Sequence, residues 1–426
     1  MLDMQKRLSN TFNAIISLPS TAMGFALCIQ ISALSWLLST RYGLHIHEIG
    51  IVWAAGPTAG ILGQVIIGLI SDKTWRWGGR RRPYIVVGGA LAALMVFLLP
   101  RIDQVASLLG IGNLLVVAVI VALTLDLSIN ISFNPTRSLI ADVTPEGPAR
   151  TRGFAWMQTI SGFWGVMAYL IGAFIDNYAL ISVGVVVIFA FSVIPVFFVQ
   201  EPRELTQAQE TVAATRTDWG QLMRIYVAHG FAWFGVQSMF VYIIAFIQQH
   251  VVPAGASAEQ VSAQSGHVIA ISFAVMNCVG FLLPALVLAP VSARIGRVRT
   301  QFACMAIMAA AYFLIAFTAR SATALYLLMA MVGIGWSAVV SLPFAIMSEK
   351  VDRSRMGFFM GMFNLSVVVP QLLTTGVGYV LKDAADKNVL FMISGACLSV
   401  SAVLWMLVRE TQEVGVAATP ALAPSH

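Results

Sequence analysis

The stretch LDLSINISFNPTRSLIAD, residues 125–142, sets Asp126, Asn130, Asn134 and Arg137 at the end of the apolar run LLVVAVIVALT. On a helix turning about 100° per residue, Asn130 lies near 40°, Asn134 near 80° and Arg137 near 20° from Asp126, so all four share one stripe. An acid and an arginine on one apolar face suit proton handling. A carboxyl withdrawn from water takes up a proton more readily, whereas a guanidinium keeps its charge. At 1.5 Å per residue the two charges stand about 16 Å apart, too far for a salt bridge in a regular helix, although Pro135 can kink it. Water, a polar ligand or another helix must lie between or beside them. Two readings follow: a buried pair neutralised by partners on other helices, or a cavity that holds a proton and a polar ligand. The second is the working expectation.

The elements that must carry this stripe are membrane helices. Of 426 residues, 58% are hydrophobic and 10% charged, with a mean hydropathy of +0.84, where a water-soluble domain is about a quarter charged. Apolar stretches of about 20 residues, long enough to cross roughly 30 Å of hydrocarbon, recur near 20–41, 49–71, 84–100, 113–138, 153–176, 179–199, 223–248, 265–289, 300–319, 322–347, 356–381 and 389–408. Twelve spans put both termini on one side. With that side cytoplasmic, nineteen of the 25 Lys and Arg fall there, five fall outside, and Arg137 stays within a span. This is the bias expected of inner loops. It accounts for the net charge of +6 without nucleic acid, because the basic residues sit in short loops rather than on one face. Of nineteen acids, Asp126 alone falls deep within a span, about 20 Å from its outer end. A charge at that depth costs about 2.5–3.5 kcal/mol on insertion scales and normally faces a cavity or partner.

The longest polar connection, residues 201–224, divides the chain after the sixth span. The expected organisation is an N-terminal six-helix half (1–200), a cytoplasmic linker (201–222), a C-terminal six-helix half (223–410) and a disordered tail (411–426). The halves echo each other: FNPTRSLIAD and RTRGF (133–154) against SLPFAIMSE and RMGF (341–358), with Pro135 opposite Pro343 and Asp142 opposite Glu349. After the second span comes GLISDKTWRWGGRRRP (68–83), and after the eighth APVSARIGRVRT (289–300), where Ala293 takes the acidic place. Two six-helix halves related about the membrane normal, with substrate held between them, is the arrangement of major facilitator transporters. The expected fold class is therefore all-α, with twelve transmembrane helices in two pseudo-symmetric halves.

The order G-x-x-S-D-K, then G-G-R-R-R-P, resembles the loop signature of the major facilitator superfamily. That resemblance implies a latch on the outward-facing state: Asp72 against the start of the eleventh span near Met356 and Gly357, with Arg80, Arg81 and Arg152 as gating cations. The run L-D-x-x-x-N-x-x-x-x-P-x-R-x-x-x-A-D with R-T-R-G-F is similar to the sucrose-transporter branch of the glycoside–pentoside–hexuronide carriers, which includes plant sucrose carriers and bacterial relatives. GRRRPY (79–84), GIGWSAVVSLPFA (333–345) and MGFFMGMFN with PQ (356–371) agree. The resemblance implies proton coupling at Asp126, and coupling with sugar binding at Arg137. Plant members carry a loop histidine between spans 1 and 2; His45 and His47 flank that place and neither falls on it. The first span has Gln30 in the expected polar place, but Leu27 and Ala33 where bacterial sugar carriers tend to be aromatic and polar.

Sugar recognition needs hydroxyl-matching groups and an aromatic face. With Asp126, Asn130, Asn134 and Arg137, the candidates are Gln30, Gln64, Gln237, Asn364 and Gln371, with Trp336 and Tyr242 as platforms; Asn277 is a further mid-span amide. Each amide has a plainer reading as a bond between helices. Trp233 and Phe234 read as packing, and His229 and His267 as structural. Glycine pairs such as Gly56 and Gly60 read as close helix contacts. Cys28, Cys278, Cys304 and Cys397 lie within spans without disulfide or metal spacing. No nucleophile–base pair, phosphate loop or metal-ligand spacing indicates an enzyme, and no carboxylate cage indicates sodium.

The reading is thus a proton-coupled sugar symporter of the sucrose, maltose or glucose type. It works as a monomer in the cytoplasmic membrane of a bacterium, with no cofactor beyond the proton. Alternatives are a carrier or exporter of a non-sugar metabolite, and a non-transporting receptor or assembly factor of the same fold.

Overall fold

The computed structural model describes residues 2–60, 70, 75–144, 148–202, 217–348, 350–351 and 356–410. The N-terminal half contains α1 (Asn10–Thr40), α2 (Ile46–Trp53, helical again over 55–60), α3 (Arg82–Leu98), α4 (Leu114–Val143), α5 (Pro148–Phe174) and α6 (Asn177–Val193). The C-terminal half contains α7 (Trp219–His250), α8 (Ala258–Leu283), α9 (Arg297–Thr318), α10 (Ala322–Val339), α11 (Met356–Leu373) and α12 (Val389–Trp405). Among the described residues there is no strand beyond an isolated bridge between Arg76 and Gly79. Among the described residues, ten helical stretches are long and apolar enough to cross a membrane; α12, at 17 residues, is shorter. The expected second span, 49–71, is described continuously through residue 60.

Helix starts follow local chemistry. Ser9, Asn113, Asp176, Asp218, Ser257 and Ser321 each accept from a first-turn N–H, beginning α1, α4, α6, α7, α8 and α10. Such caps satisfy donors that have no partner inside the helix. At Ser257 the bond is reciprocated by the Gln260 side chain.

Both halves use one packing plan. In the N-terminal half α1 packs on α5 and α6, while α3 packs on α4 and α6; in the C-terminal half α7 packs on α11 and α12, while α9 packs on α10 and α12. Small residues permit the approach. A Cβ at Gly88 of α3 would stand 2.7 Å from the Ser128 carbonyl of α4, and one at Gly333 of α10 would stand 2.7 Å from the Met276 carbonyl of α8.

A matching device ends each half. Glu201, just past α6, accepts from the backbone N–H groups of Arg80, Arg81 and Arg82 at 2.6, 2.7 and 2.9 Å, at the start of α3. Glu410, just past α12, accepts from Arg297 and Val298 at 2.8 and 2.9 Å, at the start of α9. A carboxylate on unpaired N–H groups at the positive end of a helix dipole is favourable.

The halves meet from mid-depth to the outer end, where "outer" names the face away from the basic loops. The main crossings are α5 on α8, and α2 on the short helix Thr375–Asp383 that continues α11. Gly162 of α5 faces Phe281, and Gly172 faces Ala270. The Trp36 indole donates to the Ser262 carbonyl at 2.7 Å. The Ser35 hydroxyl donates to the Val241 carbonyl at 2.8 Å and accepts from the Trp53 indole at 2.8 Å. The molecule is therefore closed at its outer end.

Candidate functional site

The α4 stripe is real in three dimensions. Pro135 sits inside α4 without ending it, so Asp126, Asn130, Asn134 and Arg137 ride one continuous helix. The Asp126 carboxyl lies against Gly56 of α2, where a Cβ would stand 3.2 Å from Oδ2 and 3.3 Å from Oδ1. Gln30 of α1 is the polar side chain beside it. Asn130 is buried and donates from Nδ2 to the Asp126 backbone carbonyl at 2.8 Å. Asn134 is half-buried.

Arg137 is exposed, with its guanidinium 4.1 Å from the centre of the Phe133 ring. Among the described residues neither Asp126 nor Arg137 has an oppositely charged side-chain partner.

Gln30 owes its position to a local irregularity. It opens a π-helical turn, Gln30–Leu34, within α1. A π turn adds a residue to one turn and is frequent at functional sites. It precedes Ser35, the residue that ties α1 to α2 and α7.

On the C-terminal side two expected residues come together: the Gln371 amide of α11 donates to Gln237 Oε1 of α7 at 3.2 Å. Trp336 of α10 is half-buried, edge-on to Phe240 at 5.3 Å and to Trp233 at 5.7 Å. Asn364 is half-buried on α11, about two turns below Gln371. Asn277 donates to its own helix at Phe273 and neighbours Tyr169 of α5. Gln64 lies outside the described residues.

Tyr242 lies elsewhere. It is fully buried in the outer closure, with its hydroxyl against Gly50 of α2 and donating to the Thr374 carbonyl at 3.2 Å. Its ring is a wall between α2, α7 and α11 in this conformation. His45 and His47 stack on each other at 5.8 Å, and His47 lies 5.5 Å from Tyr379 across the same closure.

Among the gating residues, Asp72 lies outside the described residues. Arg80 and Arg81 lend backbone N–H groups to Glu201, and buried Arg81 also pairs with Asp142 at 2.9 Å, linking α3 to the end of α4. Arg152 is exposed on α5, and Gly357 falls in the first turn of α11.

Gly56 extends the site beyond the expected residues, while Trp233 and His229 have the packing and structural roles expected of them. Gly56 makes room for a carboxyl rather than only for a helix. Trp233 contacts Trp336 and donates from its indole to His229 Nε2 at 2.9 Å. His229, 2% exposed, stacks on Phe363 of α11 at 4.7 Å. His229, Trp233 and Gln237 repeat every four residues and form one face of α7.

The profile of the Major Facilitator Superfamily matches residues 16–366 and 251–424. A general alpha-glucoside permease of Schizosaccharomyces pombe is 27% identical over 190 residues, 40% of this chain and 34% of that protein. A sucrose transport protein of Oryza sativa subsp. indica is 31% identical over 182 residues, 38% of this chain and 34% of that protein. The chain thus matches about a third of the length of these relatives. Among solved structures, a nucleoside transporter superposes with a TM-score of 0.70 at 12% identity, covering 93% of this chain and 98% of that one. The inward open xylose transporter of E. coli superposes with a TM-score of 0.69 at 15% identity, covering 94% and 97%. With the paired helix packing of its two halves and a family match along nearly its whole length, the chain belongs to the Major Facilitator Superfamily, a family of multi-pass membrane transporters and not of enzymes.

Proposed function

We propose that this protein carries a sugar of the sucrose or α-glucoside class together with a proton, by alternating access, in the cytoplasmic membrane of a bacterium. One observation carries the reading: Asp126 is set against Gly56 and Gln30 with no cation beside it among the described residues, on the same stripe as an exposed Arg137. A carboxyl so placed binds its proton from whichever side is open. Arg137 keeps its charge throughout and favours the site when a polar ligand or water shares it. The sugar class rests on the alpha-glucoside and sucrose relatives. It is consistent with a site having amides and a carboxyl on one side and indole rings on the other.

In the cycle, Asp126 accepts a proton from outside and sugar enters against α4 and the α7–α10 aromatic wall. Closure of the outer end, through Tyr242, Trp36 and the α5–α8 crossing, then releases both inward.

The test is a panel of sucrose, maltose, glucose and a nucleoside offered to proteoliposomes with a pH dye outside. Sucrose or maltose is expected to alkalise the outer medium as it enters. Sugar entry without proton movement ends the coupling assignment; uptake of the nucleoside alone ends the sugar assignment.

A further inference from the structure

Two of the five outer cations, Arg41 and Arg101, line one cavity of about 550 Å³ between α1, α3 and α6. Their meeting is built by Tyr42. Its hydroxyl donates to the Leu99 carbonyl at 3.0 Å and accepts from the Ile102 N–H at 2.9 Å. The end of α1 is thereby pinned to the 3₁₀ turn Leu99–Arg101 that closes α3.

Both guanidiniums are held in place. Arg101 donates to the Phe97 carbonyl at 2.7 Å and lies 3.9 Å from the centre of that ring. Arg41 lies 3.4 Å from the Tyr178 hydroxyl of α6 and 3.8 Å from Asp103. Two guanidiniums and one carboxylate leave a single positive charge, enough to balance one phosphodiester.

The setting is the membrane surface. The cavity lies where α1 and α3 end, beside the short helix Ile102–Leu109, whose Leu108 and Leu109 are 86% and 56% exposed. Apolar side chains exposed on a short surface helix belong in the outer part of the bilayer. From the arginines the wall runs down over Phe97, Ile181 and Val185, which are apolar and lie on the spans themselves.

We propose that this cavity binds a phospholipid of the outer leaflet, with its phosphodiester between Arg41 and Arg101 and an acyl chain along the groove between α3 and α6. Arginine presents a planar fork of donors matched to phosphate oxygens, and an interfacial arginine reaches the headgroup level without leaving its apolar stem exposed. All three walls belong to the N-terminal half. The lipid therefore braces the half that carries Asp126 as one body and stays bound in every conformation of the cycle. The site is independent of the identity of the transported solute.

The test uses the full-length protein, delipidated in detergent, then given phosphatidylglycerol, phosphatidylcholine or inorganic phosphate, with bound lipid counted by native mass spectrometry and stability read by thermal melting. Phosphatidylglycerol is expected to remain bound at one more copy per chain in the wild type than in Arg41→Gln/Arg101→Gln, and to raise the melting temperature of the wild type but not of that double variant. Lys382→Gln, which removes an outer cation elsewhere, is expected to match the wild type. Val185→Trp, which fills the groove and leaves both arginines, is expected to lose the lipid, and keeps the idea testable if the double variant does not fold. Equal lipid retention by the arginine variant overturns the proposal, as does retention by Val185→Trp. Protection by inorganic phosphate equal to that by lipid overturns it too, since it would reveal a free-anion site.

Discussion

The two halves pack their helices alike and end on the same glutamate device, yet they present different chemistry to the space between them. The N-terminal half offers charge: Asp126 and Arg137 on α4, with Gln30 beside the carboxyl. The C-terminal half offers rings and amides: Trp336, Trp233 and Phe240 edge to face, His229 behind Trp233, and Gln237 bonded to Gln371. The packing plan tolerates this divergence because helix contacts depend on small residues and shape, whereas the inter-half faces are free to vary. On the proposed function, the N-terminal half handles the proton, and the sugar lies between Arg137 of that half and the aromatic wall of the other.

The largest expected break is Asp126→Asn. It keeps the shape beside Gly56 and removes the titratable group, so proton-driven accumulation is expected to vanish while sugar exchange survives; pH-jump uptake set against counterflow measures both. Accumulation at wild-type level would place the proton elsewhere and dissolve the contrast.

Arg137→Lys comes next. It keeps the charge and loses the planar fork, and the loss of one charged hydrogen bond of about 1.5–3 kcal/mol corresponds to a roughly 10–150-fold weaker sugar interaction. Sugar dependence of initial uptake rates checks it.

On the opposite wall, Trp336→Ala is expected to raise the KM for sugar with proton coupling intact, while Trp336→Phe recovers most of the affinity, since an aromatic face contributes about 0.5–1.5 kcal/mol. A change in proton-to-sugar ratio in either variant would show that the two walls do not act separately.

The glutamates sharpen the likeness rather than the contrast. Replacing a capping side chain costs about 0.5–2 kcal/mol, and Glu201→Gln is expected to destabilise more than Glu410→Gln, because Glu201 accepts three backbone bonds and Glu410 two. Thermal melting in detergent orders them.

The smallest effect belongs to the outer loop before α12. The Asn388 N–H, with help from His250, holds the Asp386 carboxyl below its ordinary range. A depressed carboxyl contributes stability above its unfolded value, and that contribution disappears as pH falls through the folded value. Asp386→Asn is therefore expected to lower the melting temperature slightly near pH 7, and the difference from the wild type to close only as pH falls through the depressed value, below 3.8.

Much of this was legible in residue order. The α4 stripe followed from helical spacing alone, and the rarity of acids within spans singled out Asp126. Gln30 stood out as a polar residue within an apolar run. The second stripe, His229–Trp233–Gln237, was equally periodic, but its members each have ordinary packing roles, so periodicity without a buried charge drew no notice. Tyr242 illustrates the opposite failure. Its place in mid-sequence of α7 suggested a ring facing ligand, but depth along a helix does not say which neighbour closes over it, and α2 and the outer part of α11 do.

The sequence by itself determined that the chain is a bundle of membrane helices in two related halves, with one acid and one arginine on a shared face. Those properties depend on local hydropathy, helical period and charge balance, which act over a few residues. Tertiary structure alone decided that Asp126 lies beside Gln30 at a π turn, that Gln237 meets Gln371, that Trp233 backs Trp336, and that the described residues close the outer end. Each of these brings together residues far apart in the chain, and their meeting is set by how whole helices pack.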